Sequence, residues 1–255
     1  MPSLARVDLE SLLHARKLGG TLTSTWPLQP PVPSGVVPTG HAKLDEWLGG
    51  GFPHGQISEI VGPPSSGRTG LLCGVLASVT CRGELAALVD TSDTFDPVSA
   101  AAAGVELSRV LWIRGVPGST PLREKDAVDG AVKALNLVLQ AGGFSAVVLD
   151  LADVPFQRTR ELPLTTWRRL QRVVEGRETA CVLLSSVPLA RSPGGLSVRL
   201  DPLSAGVGWR GTSDRARLLD RRAARALVVR ARYAAGQEKG IEIEHCQIFN
   251  RGLPD

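Results

Sequence analysis

The run GPPSSGRT at residues 62–69 is the feature that most limits what this chain can fold into. Its spacing is that of a phosphate-binding loop, except that Arg68 stands where the pattern has lysine. Residues 57–61 predict a short buried strand before the loop, and residues 71–79 predict a helix after it. A turn between a strand and a helix directs backbone N–H groups at an anion. The run therefore predicts an α/β fold built around a phosphate-binding loop, with a plain glycine-rich turn as the alternative.

Apolar and helical patterns alternate along most of the remaining chain. Continuous apolar runs that predict buried strands lie at residues 85–90, 110–113, 144–149 and 179–184. Helical patterns lie at residues 39–48, 100–104, 126–139 and 160–174. Strands of this kind are typical of a parallel sheet covered on both faces, while residues 224–233 and 240–248 predict antiparallel strands. The predicted fold class is α/β, with a mostly parallel sheet flanked by helices, late antiparallel strands and an N-terminal helix.

The chain divides into three predicted parts. Residues 1–20 predict an amphipathic helix with leucines at helical spacing, and we expect these leucines to contact a protein partner: Leu9, Leu12 and Leu13. Residues 21–36 are rich in proline and predict a tether without regular structure. Residues 37–255 predict a single core domain, of a length that is ordinary for one α/β unit.

The positive charge of the chain is concentrated in its second half. Residues 158–232 contain sixteen arginines, six acidic residues and no lysine, which gives that stretch a net charge of +10 and leaves the remainder with −6. Segregation of this kind indicates a polyanionic partner for one face of the protein. The alternative is that the arginine content reflects codon usage alone and does not indicate a partner.

Other features of the sequence exclude several classes of protein. The sequence contains no run of about 18 apolar residues, the length needed to span a membrane. Asp8 and Glu10 interrupt the apolar region that a signal peptide needs. The four cysteines are scattered and lack the spacing of metal ligands: Cys73, Cys81, Cys181 and Cys246. We therefore expect a cytoplasmic protein with buried thiols, no bound metal and no membrane partner.

Hydrolysis of a nucleotide at such a loop needs a lysine on the terminal phosphates, a hydroxyl and an acid at Mg²⁺, and a base that positions water. Thr69 supplies the hydroxyl, and Asp150, which ends an apolar run, supplies the acid. Arg68 keeps a positive charge, but its planar fork does not reproduce a compact ammonium group. No glutamate ends the strand predicted at residues 85–90, where the base is expected. Asp90 and Asp93 are the nearest carboxylates, and acids at strand ends often only cap turns.

Four stretches together make the chain resemble the core of the RecA recombinases over residues 37–248. They are VPTGxxxLD from residue 37, GGFPxGxIxEIxGPxSSGRT from residue 50, VDxxxxFDP from residue 89 and RALVVRARY from residue 225. The resemblance implies a RecA-like core whose loop binds ATP. In that family a glutamate after the second strand activates water and a tyrosine after an aspartate–proline pair stacks on adenine. A glutamine after the fourth strand senses the γ-phosphate.

Position by position, the resemblance implies a degenerate nucleotide site. Serines replace the glutamate, the tyrosine and the glutamine, at Ser92, Ser99 and Ser186. The positions that match the family's nucleotide site are Gly62, Ser65, Ser66, Gly67, Arg68, Thr69, Asp96 and Asp150. Removal of one catalytic group alone lowers a rate by orders of magnitude, so the loss of several argues against turnover. We therefore expect no enzymatic activity, no catalytic residue and no required cofactor, and leave open whether ATP and Mg²⁺ bind without hydrolysis.

A second resemblance concerns the partners of the chain. Arg230 and Arg232 align with two lysines that reach the ATP of the neighbouring RecA subunit, which implies a subunit-interface role for both. The size, the expected lack of the family's C-terminal domain and the degenerate loop resemble the ImuA group. This resemblance implies an accessory role in DNA repair, the SOS response and mutagenic translesion synthesis. The implied partners are an ImuB-like inactive polymerase, an error-prone C-family polymerase and RecA itself.

The RecA resemblance also places two DNA-binding loops, at residues 155–164 and 188–211. Arginine contacts phosphates and stacks on unpaired bases, and a neighbouring tryptophan adds a stacking platform. The predicted DNA-binding residues are Arg158, Arg160, Arg191, Arg199, Trp209 and Arg210. The expected ligand is single-stranded DNA, bound in a salt-dependent way. The alternative is that these arginines cap helix ends or pair with Glu161, Glu175 and Asp201.

Two other functions stay open on the sequence alone. The chain could be a protein-binding inhibitor of cell division similar to SulA, against which the arginine-rich stretch argues. It could also be an active ATP-dependent RecA paralogue, against which the three serines argue.

Overall fold

The computed structural model describes residues 35–116, 120–190, 195–210, 218–230 and 240–246 as ten strands, six α-helices and their connections. The strands are β1 (Val36–Val37), β2 (Phe52–Pro53), β3 (Ile57–Val61), β4 (Ala86–Asp90), β5 (Val110–Arg114), β6 (Ala146–Asp150), β7 (Ala180–Ser185), β8 (Ser197–Arg210), β9 (Leu218–Arg230) and β10 (Gly240–Cys246). The helices are α1 (Ala42–Leu48), α2 (Arg68–Thr80), α3 (Pro97–Ala102), α4 (Pro121–Ala141), α5 (Phe156–Glu161) and α6 (Leu164–Val174), and Leu107–Arg109 forms a 3₁₀ turn.

Eight of these strands form one mixed sheet in the order β10-β9-β8-β3-β7-β6-β4-β5. The strands from β8 to β5 in that order run parallel to one another, and β9 and β10 extend the β8 side with antiparallel pairing. In the described part of the chain, β1 and β2 form a separate antiparallel pair. The predicted α/β class, with a mostly parallel sheet and late antiparallel strands, is confirmed.

Helices cover both faces of the sheet, which explains why β4, β6 and β7 are apolar almost throughout. On one face, Leu72 and Leu76 of α2 pack in the same core as Val148 of β6. On the other face, Leu135 of α4 and Trp167 of α6 lie in a second core with the alternate residues of the same strands. The sheet therefore carries its functional groups at the strand ends, where the helices leave it open.

One predicted helix is interrupted. The sequence predicts a helix over residues 160–174 and a loop over residues 155–164, but the structure has α5 and α6 with a break at Leu162 and Pro163. Proline restricts the residue before it and has no N–H to donate, so the chain leaves the first helix here and begins a second. The first predicted DNA-binding loop is therefore largely helical.

The prediction of a second loop, over residues 188–211, is wrong for most of that range. Residues 197–210 form β8, which pairs with β3 on one side and with β9 on the other. Pro202 and the nearby glycines suggest a loop because such residues are unusual in a regular strand. The pairing with β9 accommodates them through register shifts that follow Pro202 and Gly208. Val198 and Leu200 are fully buried, so β8 is part of the core.

Some predicted features lie outside the described residues. These are the N-terminal helix with Leu9, Leu12 and Leu13, most of the tether, Arg191 and Arg232. The backbone of Trp209, Arg210 and Arg230 is described. The division into helix, tether and core stays a prediction.

The described residues also show the burial of three cysteines and test for membrane-spanning helices and metal-binding clusters. Cys73 and Cys181 are buried, whereas Cys81 is exposed. Within the described ranges, no helix combines the length and the apolar character needed to cross a membrane. The same ranges hold no cluster of three or more side chains suited to a metal ion.

Candidate functional site

The phosphate-binding loop lies at the carboxyl edge of the parallel strands. The register pairs Val61 at the end of β3 with Ser185 at the end of β7, and Asp150 at the end of β6 with Asp90 at the end of β4. Gly62 continues this edge by donating its N–H to the Ser185 carbonyl oxygen at 3.2 Å. The topology therefore brings together the loop, Asp150 and the segments that follow β4 and β7. Ligands of open α/β sheets bind at this edge.

The loop keeps the backbone shape of an anion-binding turn. Ser65 and Gly67 take positive φ angles of 62° and 96°, and Gly67 is the N-cap of α2. Ser66 is 1% exposed, and its hydroxyl has no hydrogen-bond partner among the described residues. Gly62 has no room for a side chain, because a Cβ there would lie 2.5 Å from the Leu200 carbonyl oxygen. The turn, the helix start and the unpaired hydroxyl together suit a phosphate group.

Arg68 turns away from solvent and into the protein. It is 5% exposed, whereas the next residue, Thr69, is exposed. Arg68 Nη1 donates to the carbonyl oxygen of Ala152 at 3.4 Å, in the turn that follows β6. Burial lowers the pKa of Arg68, and the carboxylates of Asp150 and Asp153 oppose that shift because they attract the guanidinium. The arginine that stands in place of the expected lysine is thus held at the end of β6.

The surroundings of Asp150 disfavour the ionised form of its carboxyl group. Burial raises its pKa to about 6, and the nearby carboxylates of Asp90 and Asp153 act in the same direction. Two contacts favour the ionised form: the N–H of Ala152, which Asp150 Oδ1 accepts at 2.8 Å, and the guanidinium of Arg68. Burial and like-charge repulsion outweigh these contacts, so an ionised Asp150 is disfavoured in the folded protein.

The two carboxylates nearest the expected position of a catalytic base are both occupied. Asp90 is fully buried and accepts two backbone N–H groups at 3.1 and 2.9 Å and the indole N–H of Trp112 at 3.2 Å. Asp93 accepts two N–H groups of Arg114 at 2.7 and 2.8 Å. Both acids therefore shape the segment after β4, in the way that turn-capping acids do.

Hydroxyl groups occupy the other positions of the expected nucleotide site. Ser92 and Ser186 are half-buried, two residues after β4 and one residue after β7. Asp96 caps α3 by accepting the N–H groups of Val98 and Ser99 at 3.2 and 3.1 Å. The Ser99 hydroxyl also donates to Asp96, and this bond is the main reason that the pKa of Asp96 is lowered. A serine side chain offers neither a general base nor an aromatic surface for a nucleobase.

Glu59 is a buried acid that the sequence reasoning did not single out. It lies on β3, and its carboxylate accepts the N–H groups of Leu189 and Ala190 and the hydroxyl of Ser197. These bonds tie the strand before the phosphate loop to the segment that follows β7 and to the start of β8. A charged residue inside an otherwise apolar strand was the available signal, because a buried carboxylate needs partners.

The predicted DNA-binding arginines in the described ranges lie on two elements, α5 and β8. Arg158 on α5 pairs with Glu161 at 3.0 Å, and Arg199 on β8 pairs with Asp201 at 3.1 Å, as the structural alternative expects. Arg160 is exposed on α5, and no acid among the described residues pairs with it.

Three of the remaining candidates belong to the antiparallel part of the sheet. Trp209 and Arg210 lie at the end of β8, and the interface candidate Arg230 ends β9 opposite Ser197. Their roles stay predictions, as do those of Arg191 and Arg232.

The outward face of α6 carries a group of arginines that the sequence reasoning left unassigned. The opposite face of the helix buries Trp167, Leu170 and Val174. The exposed arginines form no ion pair with any acid in the described ranges and are Arg168, Arg169 and Arg172. Their spacing opposite the apolar residues was the signal that could have found them.

Comparison with known proteins shows what this arrangement is similar to. A family model described as the RecA N-terminal domain matches residues 29–153. The matched range includes the phosphate-binding loop and the turn after β6 that holds Arg68. The chain contains a RecA-like core.

The relatives of this RecA-like core are much longer than the region they share with it. Protein RecA of Methylococcus capsulatus is 38% identical over 116 residues, which are 45% of this chain and 30% of that protein. Protein RecA of Borreliella afzelii is 36% identical over 150 residues, which are 58% of this chain and 37% of that protein. Protein RecA of Prochlorococcus marinus is 35% identical over 113 residues, which are 44% of this chain and 27% of that protein. The alignments thus cover roughly a third of each relative.

The matched range divides the RecA-like core into two parts. The sequence similarity covers the loop, Asp96 and Asp150. The helices α5 and α6 and the strands β7 to β10 follow the matched range. The family match ends before the arginine-rich part of the chain. The places of those arginines in the fold are therefore known from the structure alone.

Proposed function

We propose that this protein is a RecA-like accessory protein that binds DNA without hydrolysing ATP and acts in the DNA damage response, in mutagenic translesion synthesis. One observation carries the proposal: the phosphate-binding turn is intact, but Arg68 is buried at the end of β6. Ser92 and Ser186 stand where a base and a phosphate sensor are needed. A protein with this combination keeps the RecA-like scaffold and lacks the groups for turnover.

The chemistry of phosphoryl transfer explains why this combination is decisive. The reaction depends on cations at the developing negative charge and on a group that orients the attacking water. Arg68 is held against Ala152 at the end of β6, and the candidate bases Asp90 and Asp93 each accept hydrogen bonds from other donors. Several independent groups would have to change before hydrolysis could occur, so a single substitution does not restore it.

Exposed arginines support DNA as the ligand. Guanidinium groups contact phosphates without regard to base sequence, and such contacts give salt-dependent binding. The outward face of α6 offers three of them without acidic partners, and Arg160 adds a fourth on the neighbouring helix. The Arg199–Asp201 pair is exposed, and such pairs contribute under about 1 kcal/mol, so a phosphate can displace the acid.

One edge of the sheet supports a protein partner. In the described part of the chain, β5 forms that edge, and Leu111 on it is 45% exposed. A cavity of about 420 Å³ lies beside it, against α4, and is lined partly by small residues such as Gly130 and Ala134. A strand edge next to an apolar cavity suits an extended peptide. We assign this surface to the ImuB-like polymerase relative, with an error-prone C-family polymerase and RecA as further members of the assembly.

The proposal is tested by phosphate release from ATP and Mg²⁺ in the presence of single-stranded DNA. The wild-type chain should release no phosphate above the buffer background, and neither should Arg68→Lys, because Ser92 and Ser186 remain. Thr69→Ala serves as the control for a contaminating ATPase. Turnover by the wild-type chain that disappears in Thr69→Ala would contradict the proposal.

A further inference from the structure

The guanidinium of Arg68 is built into the turn that follows β6. Its Nη1 donates to the Ala152 carbonyl oxygen at 3.4 Å, and the N–H of the same residue donates to Asp150 Oδ1 at 2.8 Å. Arg68 is 5% exposed, so the side chain is part of the packed interior and not a surface group that reaches into the loop. The turn thus joins the first residue of α2 to the end of β6.

Three carboxylates surround this position. Asp150 ends β6, Asp153 lies in the turn, and the fully buried Asp90 is paired with Asp150 in the register of β4 and β6. Acids that lie this close repel one another unless a cation compensates for them. Among the described residues, Arg68 is the cation whose field acts on Asp150.

A divalent metal ion does not fit beside this guanidinium. In phosphate-loop ATPases an acid near the loop helps to hold Mg²⁺. Mg²⁺ demands near-ideal octahedral coordination by oxygen and keeps several of its waters. At this turn one oxygen of Asp150 already accepts the N–H of Ala152, and the buried guanidinium of Arg68 donates to the carbonyl oxygen of the same residue. The residues present therefore suit an organic cation and not a hydrated metal.

We propose that Arg68 is a fixed counter-charge that takes the place of a divalent metal ion, so that the loop binds the phosphates of a nucleoside diphosphate without metal. The phosphates are held by backbone N–H groups at the start of α2 and by the hydroxyl of Ser66, which has no partner in the described ranges. The inference rests on the proposed function, because a site without metal lacks a group that phosphoryl transfer needs.

The test is a titration of the full chain with a fluorescent ADP analogue, once with excess MgCl₂ and once with EDTA. The wild-type affinities in the two buffers should agree within about twofold. Arg68→Lys has a compact ammonium group that no longer fills the turn, so it should bind at least about tenfold more tightly with MgCl₂ than with EDTA. Arg109→Lys is the matched control, because Arg109 pairs with Glu106 near the start of β5, and it should behave as the wild type does.

Two results would overturn the inference: wild-type binding that requires MgCl₂, or no wild-type binding in either buffer. The wild-type comparison needs no variant, so it stands even where Arg68→Lys does not fold. Thermal unfolding gives a second readout, in which ADP with EDTA should raise the Tm of the wild-type chain. The proposed function is judged separately, by phosphate release and by DNA binding, so its failure is distinguishable from a failure here.

Discussion

Neutralising the three exposed arginines of α6 should weaken the binding of single-stranded DNA by about a hundredfold at low salt. The triple variant R168Q/R169Q/R172Q removes three phosphate-contacting charges and leaves the buried face of the helix unchanged. The salt dependence should change as well, because each lost phosphate contact lowers the slope of log K against log salt by about 0.7 for single strands. Fluorescence anisotropy of a labelled oligonucleotide over a range of salt concentrations measures both quantities.

A matched control separates a DNA surface from a general effect of net charge. The variant K43Q/R82Q/R109Q removes the same amount of charge from α1, from the turn after α2 and from the 3₁₀ turn before β5. It should retain nearly all of the wild-type affinity. An equal loss of affinity in the two triple variants would contradict the assignment of α6 as a DNA-binding face.

Replacing Asp150 with asparagine should stabilise the folded protein by about 3 kcal/mol near pH 8. The pKa of Asp150 is raised in the folded state from 3.8 to about 6, chiefly by burial, so folding favours the protonated acid. A raised carboxyl pKa destabilises the fold as pH rises through the folded-state value, and has no effect below the unfolded-state value of 3.8. The asparagine carbonyl can still accept the N–H of Ala152. The gain in the free energy of unfolding should therefore be present above pH 7 and absent below about pH 4.

Denaturant titrations at pH 8 and at pH 4 measure this difference. Asp201→Asn is the control, because Asp201 forms an exposed pair with Arg199, and its effect should stay under about 0.5 kcal/mol at either pH. An Asp150→Asn variant that is less stable than the wild type at pH 8 would show that the carboxylate contributes favourably. The charge balance around Arg68 would then need a different account.

Much of the fold could be predicted from the sequence, because the strands of a covered parallel sheet are continuous apolar runs. The apolar run at residues 85–90, for example, forms β4 at Ala86–Asp90. The predictions failed where local composition and tertiary pairing disagree. Pro202 and its neighbouring glycines look like a loop, yet β8 keeps them because irregular pairing with β9 absorbs the extra residues. Pro163 ends a helix that the spacing of apolar residues alone would continue.

The candidate site was predictable in its position but not in its contacts. The sequence indicates that the loop and Asp150 come together. The loop follows β3 and Asp150 ends β6, and these two strands end at the same edge of the sheet. It does not indicate which way Arg68 points, because that depends on the shape of the turn 90 residues from the loop's start. The bonds of Glu59 to residues 189, 190 and 197 are likewise set by the fold and not by local spacing.

The most direct test of the central claim is the affinity for single-stranded DNA with and without ATP and Mg²⁺. A non-hydrolysing accessory protein that binds DNA through fixed arginines should bind in a salt-sensitive way, and its affinity should agree within about twofold in the two conditions. An affinity that rises about tenfold or more with ATP and Mg²⁺ would show that the loop still works as a switch. That result, or the absence of DNA binding at any salt concentration, would contradict the account.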